Sequence, residues 1–216
     1  MKRTNNYYID DVFHTLIERY GKDIKTELNY ENNYQLLIAI MLSAQTTDQQ
    51  VNKITGELFD KIHQPIDAIK LGIDGINMMI KNINYHNNKA KYIYQMSRQI
   101  IDNFNNVIPD DFQKLILLSG VGRKTANVFL SIAFNKNTIG VDTHVFRVSN
   151  RLLGINAKNP FETEKILSKI ISTDKYSYIN NLFIPFGREY CKAKKPLCFK
   201  CPLSEKCKKY NKKGYV

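Results

Sequence analysis

Leu118-Ser119-Gly120-Val121-Gly122-Arg123-Lys124-Thr125-Ala126-Asn127, LSGVGRKTAN (118–127), lies between two segments of helical character. Its two glycines, one residue apart, permit a tight turn with positive φ at little steric cost. Such a turn presents backbone N–H groups at the N-terminus of the following helix, which is an anion site. A helix–hairpin–helix of this form can hold a nucleic-acid phosphate without reading base sequence. The same GxG also fits an ordinary corner between two helices, so the rest of the chain has to supply the context.

Outward from this hairpin the chain reads as helices, with no convincing strand. Ile9, Val12, Phe13, Leu16, Ile17 and Tyr20 keep helical spacing, and Gly21 can stop that helix. Tyr34 to Ala44 is nearly continuous and apolar. Thr46, Thr47 and Asp48 offer caps for a helix carrying Val51, Ile54, Leu58 and Phe59. Short helices are expected from Pro65 and from Asp74, and a longer one over Lys89 to Phe104. Pro109 and Asp110 are expected to start a helix running through Leu118. Lys124 to Phe134 forms the next. Asp142 caps a helix to Leu153 that ends at Gly154. Asn159-Pro160 opens another, and Asp174 the last. About ten helices joined by short loops make an all-α protein.

Composition narrows the partner. Lys plus Arg number 32 against 20 acidic residues, a formal charge of +12 over 216 residues. That balance favours a polyanion, most often nucleic acid. No apolar run reaches the length of a membrane span. The N-terminal MKRTNNYYIDD has no apolar run and does not read as a signal peptide, so a cytoplasmic protein is expected. All four cysteines, Cys191, Cys198, Cys201 and Cys207, fall in CKAKKPLCFKCPLSEKC (191–207), spaced C-x6-C-x2-C-x5-C. Four thiolates in one short loop can close around a metal centre, and thiolate ligands select zinc or an iron–sulfur cluster. The spacing leaves both open. Structural zinc sites usually pair two short knuckles, whereas here there is one CxxC with wider gaps, which favours a cubane cluster. From Lys192 to Lys213 there are many lysines and one acid, Glu205, so the loop lies in a cationic patch suited to phosphates.

Together, LLIAIMLSAQTTD (36–48), LSGVGRKTANVFL (118–130), VDTHVFRVSNR (141–151) and the cysteine loop closely resemble the endonuclease III family of DNA glycosylases with apurinic/apyrimidinic lyase activity. The resemblance covers nearly the whole chain. It implies two α-helical domains flanking a DNA-binding cleft: residues 27–138 with the helix–hairpin–helix, and residues 1–26 with 139–216 carrying a [4Fe-4S] cluster on Cys191, Cys198, Cys201 and Cys207.

The resemblance also implies site residues. Lys124 matches the catalytic lysine and Asp142 the catalytic aspartate. A neutral amine can attack the anomeric carbon of a damaged nucleoside, expel the base and form a Schiff base, and a carboxylate opposite can stabilise developing positive charge. The target nucleotide must leave the stack. The family fills the gap with a glutamine, matching Gln45, and with a bulky residue in a loop that here reads NINYHN (82–87), where Tyr85 is the counterpart. Two positions depart from the common pattern. Asn84 stands where glycine precedes the bulky residue, and Ser119 stands where proline often precedes the hairpin glycine, which is expected to loosen the turn slightly. Gly120 and Gly122, with Lys194 and Lys195 of the cysteine loop, are the expected phosphate contacts. His144 is expected to face the same cleft as Asp142. The implied activity is bifunctional base-excision repair by a monomer, acting on double-stranded DNA that contains damaged pyrimidines or abasic sites. A mismatch adenine glycosylase of the same superfamily is the nearest rival; Lys124 and the short segment after the cysteines argue against it. A non-catalytic iron–sulfur redox sensor that binds DNA is the rival from another class.

Overall fold

The structure, a computed structural model, describes the backbone of residues 2–22 and 26–211 and the side chains from residue 7 onward within them. Lys212 and Lys213 of the cationic tail lie outside the described residues. Among the described residues there are helices and turns but no strand. The chain divides into two compact units, Thr26–Lys136 and Met1–Lys25 with Asn137–Val216.

Unit Thr26–Lys136 is organised around α2 (Asn33–Leu42), in which every residue from Tyr34 to Leu42 is buried. A helix that is apolar all round belongs in the centre of a bundle. It packs against α3 (Asp48–Phe59), α5 (His86–Phe104) and α7 (Arg123–Phe134), while α4 (Pro65–Met79) lies along α5. The polar groups of α2 are satisfied internally: Tyr34 Oη and Ser97 Oγ are 2.5 Å apart, Gln35 Nε2 donates to the Ile62 carbonyl at 3.2 Å, and its Oε1 accepts from Glu31 N at 2.8 Å. Thr47 caps α3 as expected, accepting from Gln50 N, and Asn32 caps α2, accepting from Gln35 N. The helices expected from Pro65 and Asp74 form one element broken at Gly72, whose φ of 73° and ψ of 168° only glycine adopts readily. The helix expected from Pro109 through Leu118 is corrected to a single turn, α6 (Phe112–Leu115). Asp111 takes its start, accepting from Lys114 N at 3.0 Å. Successive turn hydrogen bonds then carry the chain to Val121.

In the other unit α1 (Lys2–Tyr20) and α8 (Thr143–Val148) pack against α10 (Tyr176–Glu189), and α9 (Pro160–Ile170) against α8. Phe13, Leu16, Val145, Val148, Leu152, Leu182, Phe183 and Phe186 form the centre of its core. The helix capped by Asp142 continues past Val148 as a π-helical turn, Ser149–Leu153, and stops at Gly154 as expected. Asp174 does not start the last long helix: it lies in a 3-10 turn, Thr173–Lys175, and α10 follows. A short α11 (Lys208–Asn211), absent from the sequence reading, packs on the π-helical turn.

Candidate functional site

The hairpin is built by one glycine and kept open by the other. Gly120 has φ +79°, and a Cβ there would stand 2.5 Å from Met41 Sδ and 2.8 Å from Tyr92 Cβ. Gly122 has an ordinary φ of −87° and nothing within 4 Å of a would-be Cβ, so the positive φ that the turn uses lies at Gly120 alone of the two. Gly122 is the N-cap of α7, and no side chain caps this helix. By contrast, α2, α3, α8 and α9 are capped by Asn32, Thr47, Asp142 and Asn159. The bare start of α7 keeps its first N–H groups, and the positive end of the helix dipole, accessible to an anion. Ser119 ties the turn to α5. Its N–H, which proline would lack, donates to Gln99 Oε1 at 2.7 Å, and Gln99 Nε2 donates to the Leu117 carbonyl at 3.1 Å. Gly120→Ala is expected to cost about 1–3 kcal/mol of stability through the left-handed φ and the two close contacts. Gly122→Ala should cost less, about 0.5–1 kcal/mol, because its site is open and its φ ordinary and only the N-cap preference for glycine over alanine is lost. Denaturant unfolding of both variants checks this, and equal losses would contradict it.

Lys124 is the second residue of α7, half-buried, one turn from the hairpin. Gln45 and Tyr85 occupy two loops of this same unit. Both have left-handed backbones, φ 60° and φ 61°, unusual for non-glycine residues. Tyr85 is 62 % exposed. Asn84 Nδ2 donates to the Gln45 carbonyl at 2.6 Å, so the two loops are joined directly.

Asp142 belongs to the other unit. Its Oδ1 accepts from Val145 N at 2.7 Å and so caps α8, and among the described residues Oδ2 carries no hydrogen bond. His144 turns back onto its own helix, with Nδ1 3.0 Å from Arg147 Nη2. Arginine only donates, so Nδ1 accepts and the neutral ring carries its proton on Nε2. Burial holds this imidazole below its ordinary pKa; Arg147 and Arg188 act in the same direction and Asp142 opposes them. The sign for stability follows. The unfolded chain takes up the proton near pH 6.5 and the folded chain resists it, so stability is intact above about pH 6.5 and is lost as pH falls from there toward the folded value. His144→Asn keeps an acceptor near Nδ1 and does not titrate. Its melting temperature is expected to fall less than wild type between about pH 7.5 and about pH 5.5. Identical pH profiles would contradict this.

Cys191, Cys198, Cys201 and Cys207 line one cavity of about 470 Å³, together with Arg151, Phe186 and Tyr190. Among the described residues no three His, Cys, Asp or Glu side chains converge as they would on a single ion. The four thiols share the lining of this one cavity. With protein atoms alone around it, burial pushes the Cys201 thiol up to about 11 and raises Cys191 as well; a bound cationic centre would hold them as thiolates. Leu203 is the single buried apolar residue from Cys191 to Asn211. Its burial supplies about 2–3 kcal/mol, against about 1–2 kcal/mol for fixing each backbone residue, so apolar contacts do not hold this loop.

Arg147 and Arg151 of VDTHVFRVSNR, to which periodicity and spacing give no role, brace the loop instead. Arg147 Nε donates to the Cys191 carbonyl at 2.7 Å. Arg151, in the π-helical turn, donates to the carbonyls of Lys192 at 2.7 Å and Ala193 at 3.1 Å. Lys194 and Lys195 are exposed at the tip between the first two cysteines.

Residues 38–173 match the family described as HhH-GPD superfamily base excision DNA repair protein. The chain belongs to this superfamily of base-excision DNA repair proteins. It is 44 % identical over 187 residues to endonuclease III of Rickettsia felis, covering 87 % of this chain and 88 % of that one. It is 42 % identical over 194 residues to endonuclease III of Bacillus subtilis, covering 88 % and 89 %. A solved structure of a trapped endonuclease III–DNA covalent intermediate, an estranged-adenine complex, superimposes with a TM-score of 0.89 at 40 % identity, covering 96 % of this chain and 98 % of that one. Within the superfamily the chain is a member of the endonuclease III family.

Proposed function

We propose that the protein is a bifunctional base-excision-repair enzyme, a DNA N-glycosylase and apurinic/apyrimidinic lyase that acts on oxidised pyrimidines and abasic sites in double-stranded DNA. The observation that carries this reading is the likeness, over 96 % of the chain, to an endonuclease III caught covalently attached to DNA. A covalent enzyme–DNA intermediate requires a nucleophile on the protein, and an amine is the nucleophile that yields a Schiff base with a sugar.

Lys124 fits that role. Its neutral amine adds to C1′ as the glycosidic bond breaks, the electron pair leaving with the base, which takes up a proton; the C1′–O4′ bond of the sugar ring then opens, O4′ is protonated and the nitrogen lone pair forms the C=N bond. The resulting iminium makes the C2′ proton acidic, and loss of that proton expels the 3′ phosphate by β-elimination. Asp142, with Oδ1 committed to the cap, offers Oδ2 to stabilise positive charge on the sugar and to assist proton transfer. The hairpin supplies phosphate contacts through the open start of α7, where the missing side chain of Gly122 leaves room for close approach. Gln45 and Tyr85 fill the gap left by the extruded nucleotide, Tyr85 by stacking and Gln45 by hydrogen bonding to the orphaned base.

Cys191, Cys198, Cys201 and Cys207 would hold a [4Fe-4S] cluster. Bound there, the cluster supplies a covalent fastening for a loop with almost no core, and so presents Lys194 and Lys195 to phosphates. Neutralising both lysines as Lys194→Gln and Lys195→Gln is expected to weaken duplex binding without sequence preference and to reduce the salt slope by about 1–2. Titration at several salt concentrations checks it, and an unchanged slope would remove the loop from the interface.

The proposed activity is tested with a duplex carrying one oxidised pyrimidine. Free base together with the β-elimination product is expected. Release of base without strand cleavage, or excision of adenine from a mismatch in its place, would overturn it.

A further inference from the structure

The two loops that carry Gln45 and Tyr85 are tied together more tightly than two neighbouring turns require. Asn84 Nδ2 donates to the Gln45 carbonyl at 2.6 Å. Gln50 Nε2 donates to the Asn82 carbonyl at 2.7 Å, a second strut from α3 to the Tyr85 loop. Lys89, buried in the first turns of α5, donates from Nζ to the carbonyls of Leu42 at 2.8 Å and Ala44 at 2.7 Å. These strap the C-terminal end of α2, and with it the approach to Gln45, onto the helix that begins after Tyr85. The backbone of Asn84 stays out of the left-handed region, whereas Gln45 and Tyr85 both lie in it. A glycine at position 84 is therefore not demanded by the local backbone, and a side chain there is free to bind. Left-handed residues with large side chains persist only where their surroundings fix them.

We propose that Asn84 is a positioning residue that fastens the Gln45 and Tyr85 loops to each other, so that both side chains enter the duplex as one prebuilt unit. The proposal rests on the reading of Gln45 and Tyr85 as gap-filling groups. Its consequence is selective. Extrusion of a paired, stacked base needs both side chains delivered together, whereas an abasic site is already unstacked and makes a smaller demand. A clamp set before binding also removes the ordering cost of two loops at the moment of insertion.

The test compares single-turnover rates on two duplexes, one with a paired oxidised pyrimidine and one with an abasic site. Asn84→Ala removes the donor without adding glycine's backbone freedom, and Asn84→Asp keeps the shape while removing the N–H. Both are expected to slow base release from the paired substrate about fivefold to tenfold, the effect of one lost hydrogen bond. Both should leave abasic-site cleavage and melting temperature near wild type. A fluorescent adenine analogue beside the lesion should report delayed insertion in the same variants. In Tyr85→Ala, which is slow on the paired substrate by itself, adding Asn84→Ala should cost less than it does in wild type. Wild-type rates on the paired substrate for Asn84→Ala and Asn84→Asp, with Tyr85→Ala impaired, would overturn the clamp while leaving the gap-filling reading intact. Equal slowing on both substrates, or a large fall in melting temperature, would make Asn84 merely structural and overturn it too. Wild-type rates for both Tyr85→Ala and Gln45→Ala would remove the reading beneath the clamp, and the clamp with it.

Discussion

Lys124→Gln is expected to abolish both base release and strand cleavage, a loss on the order of a thousandfold or more, while duplex binding persists. Glutamine matches lysine in helix propensity and is unbranched at Cβ, but it has no nucleophilic amine. Lys124 is half-buried at the second position of α7, so the change leaves the core of that helix, Ala126, Phe129 and Leu130, untouched. Binding persists because the groups proposed to hold phosphate are the backbone around Gly120 and Gly122 and the lysines of the cysteine loop. Single-turnover kinetics with an abasic duplex, paired with a binding titration, measures both. Residual activity within tenfold of wild type would mean that another amine carries the chemistry. Loss of binding in step with activity would mean that Lys124 is a phosphate contact.

The second large effect belongs to the cysteine loop. Native protein is expected to be yellow-brown with about four irons per chain, as Cys₄ ligation of a cubane implies. Cys201→Ala should lose iron and melt well below wild type. The loop would then keep the braces from Arg147 and Arg151 but lose its fastening, and Leu203 is its one buried apolar side chain. Metal analysis and thermal unfolding of the two proteins check this. Stoichiometric zinc without iron in freshly isolated protein would contradict the cluster. An unchanged melting temperature in Cys201→Ala would contradict its structural role.

Much of the fold was legible because helices announce themselves by period and by caps. Thr47, Asp142 and Asn159 cap helices where the sequence placed them. The misses have physical causes. The segment after Pro109 satisfies the start rule for a helix, but Asp111 caps one turn and the chain is then drawn into the hairpin. The GxG pattern does not reveal that Gly120 carries the left-handed turn while Gly122 is bare for a different reason, because that distinction depends on Met41 and Tyr92, which are distant in sequence. Gln99, Lys89, Arg147 and Arg151 act by donating to backbone carbonyls, and such bonds leave no trace in periodicity or spacing. His144 is expected to share the cleft of Asp142, and its bond to Arg147 on the same helix is not visible in spacing. At the candidate site, the residue types were readable and their supports were not. Ser119 shows this: its N–H is bound by Gln99, twenty residues away in sequence.

The most direct test of the central claim is borohydride reduction of the protein bound to an abasic duplex, followed by proteolysis and mass mapping of the cross-linked peptide. One covalent adduct is expected, on the peptide containing Lys124. No adduct, or an adduct on any other amine, would contradict it.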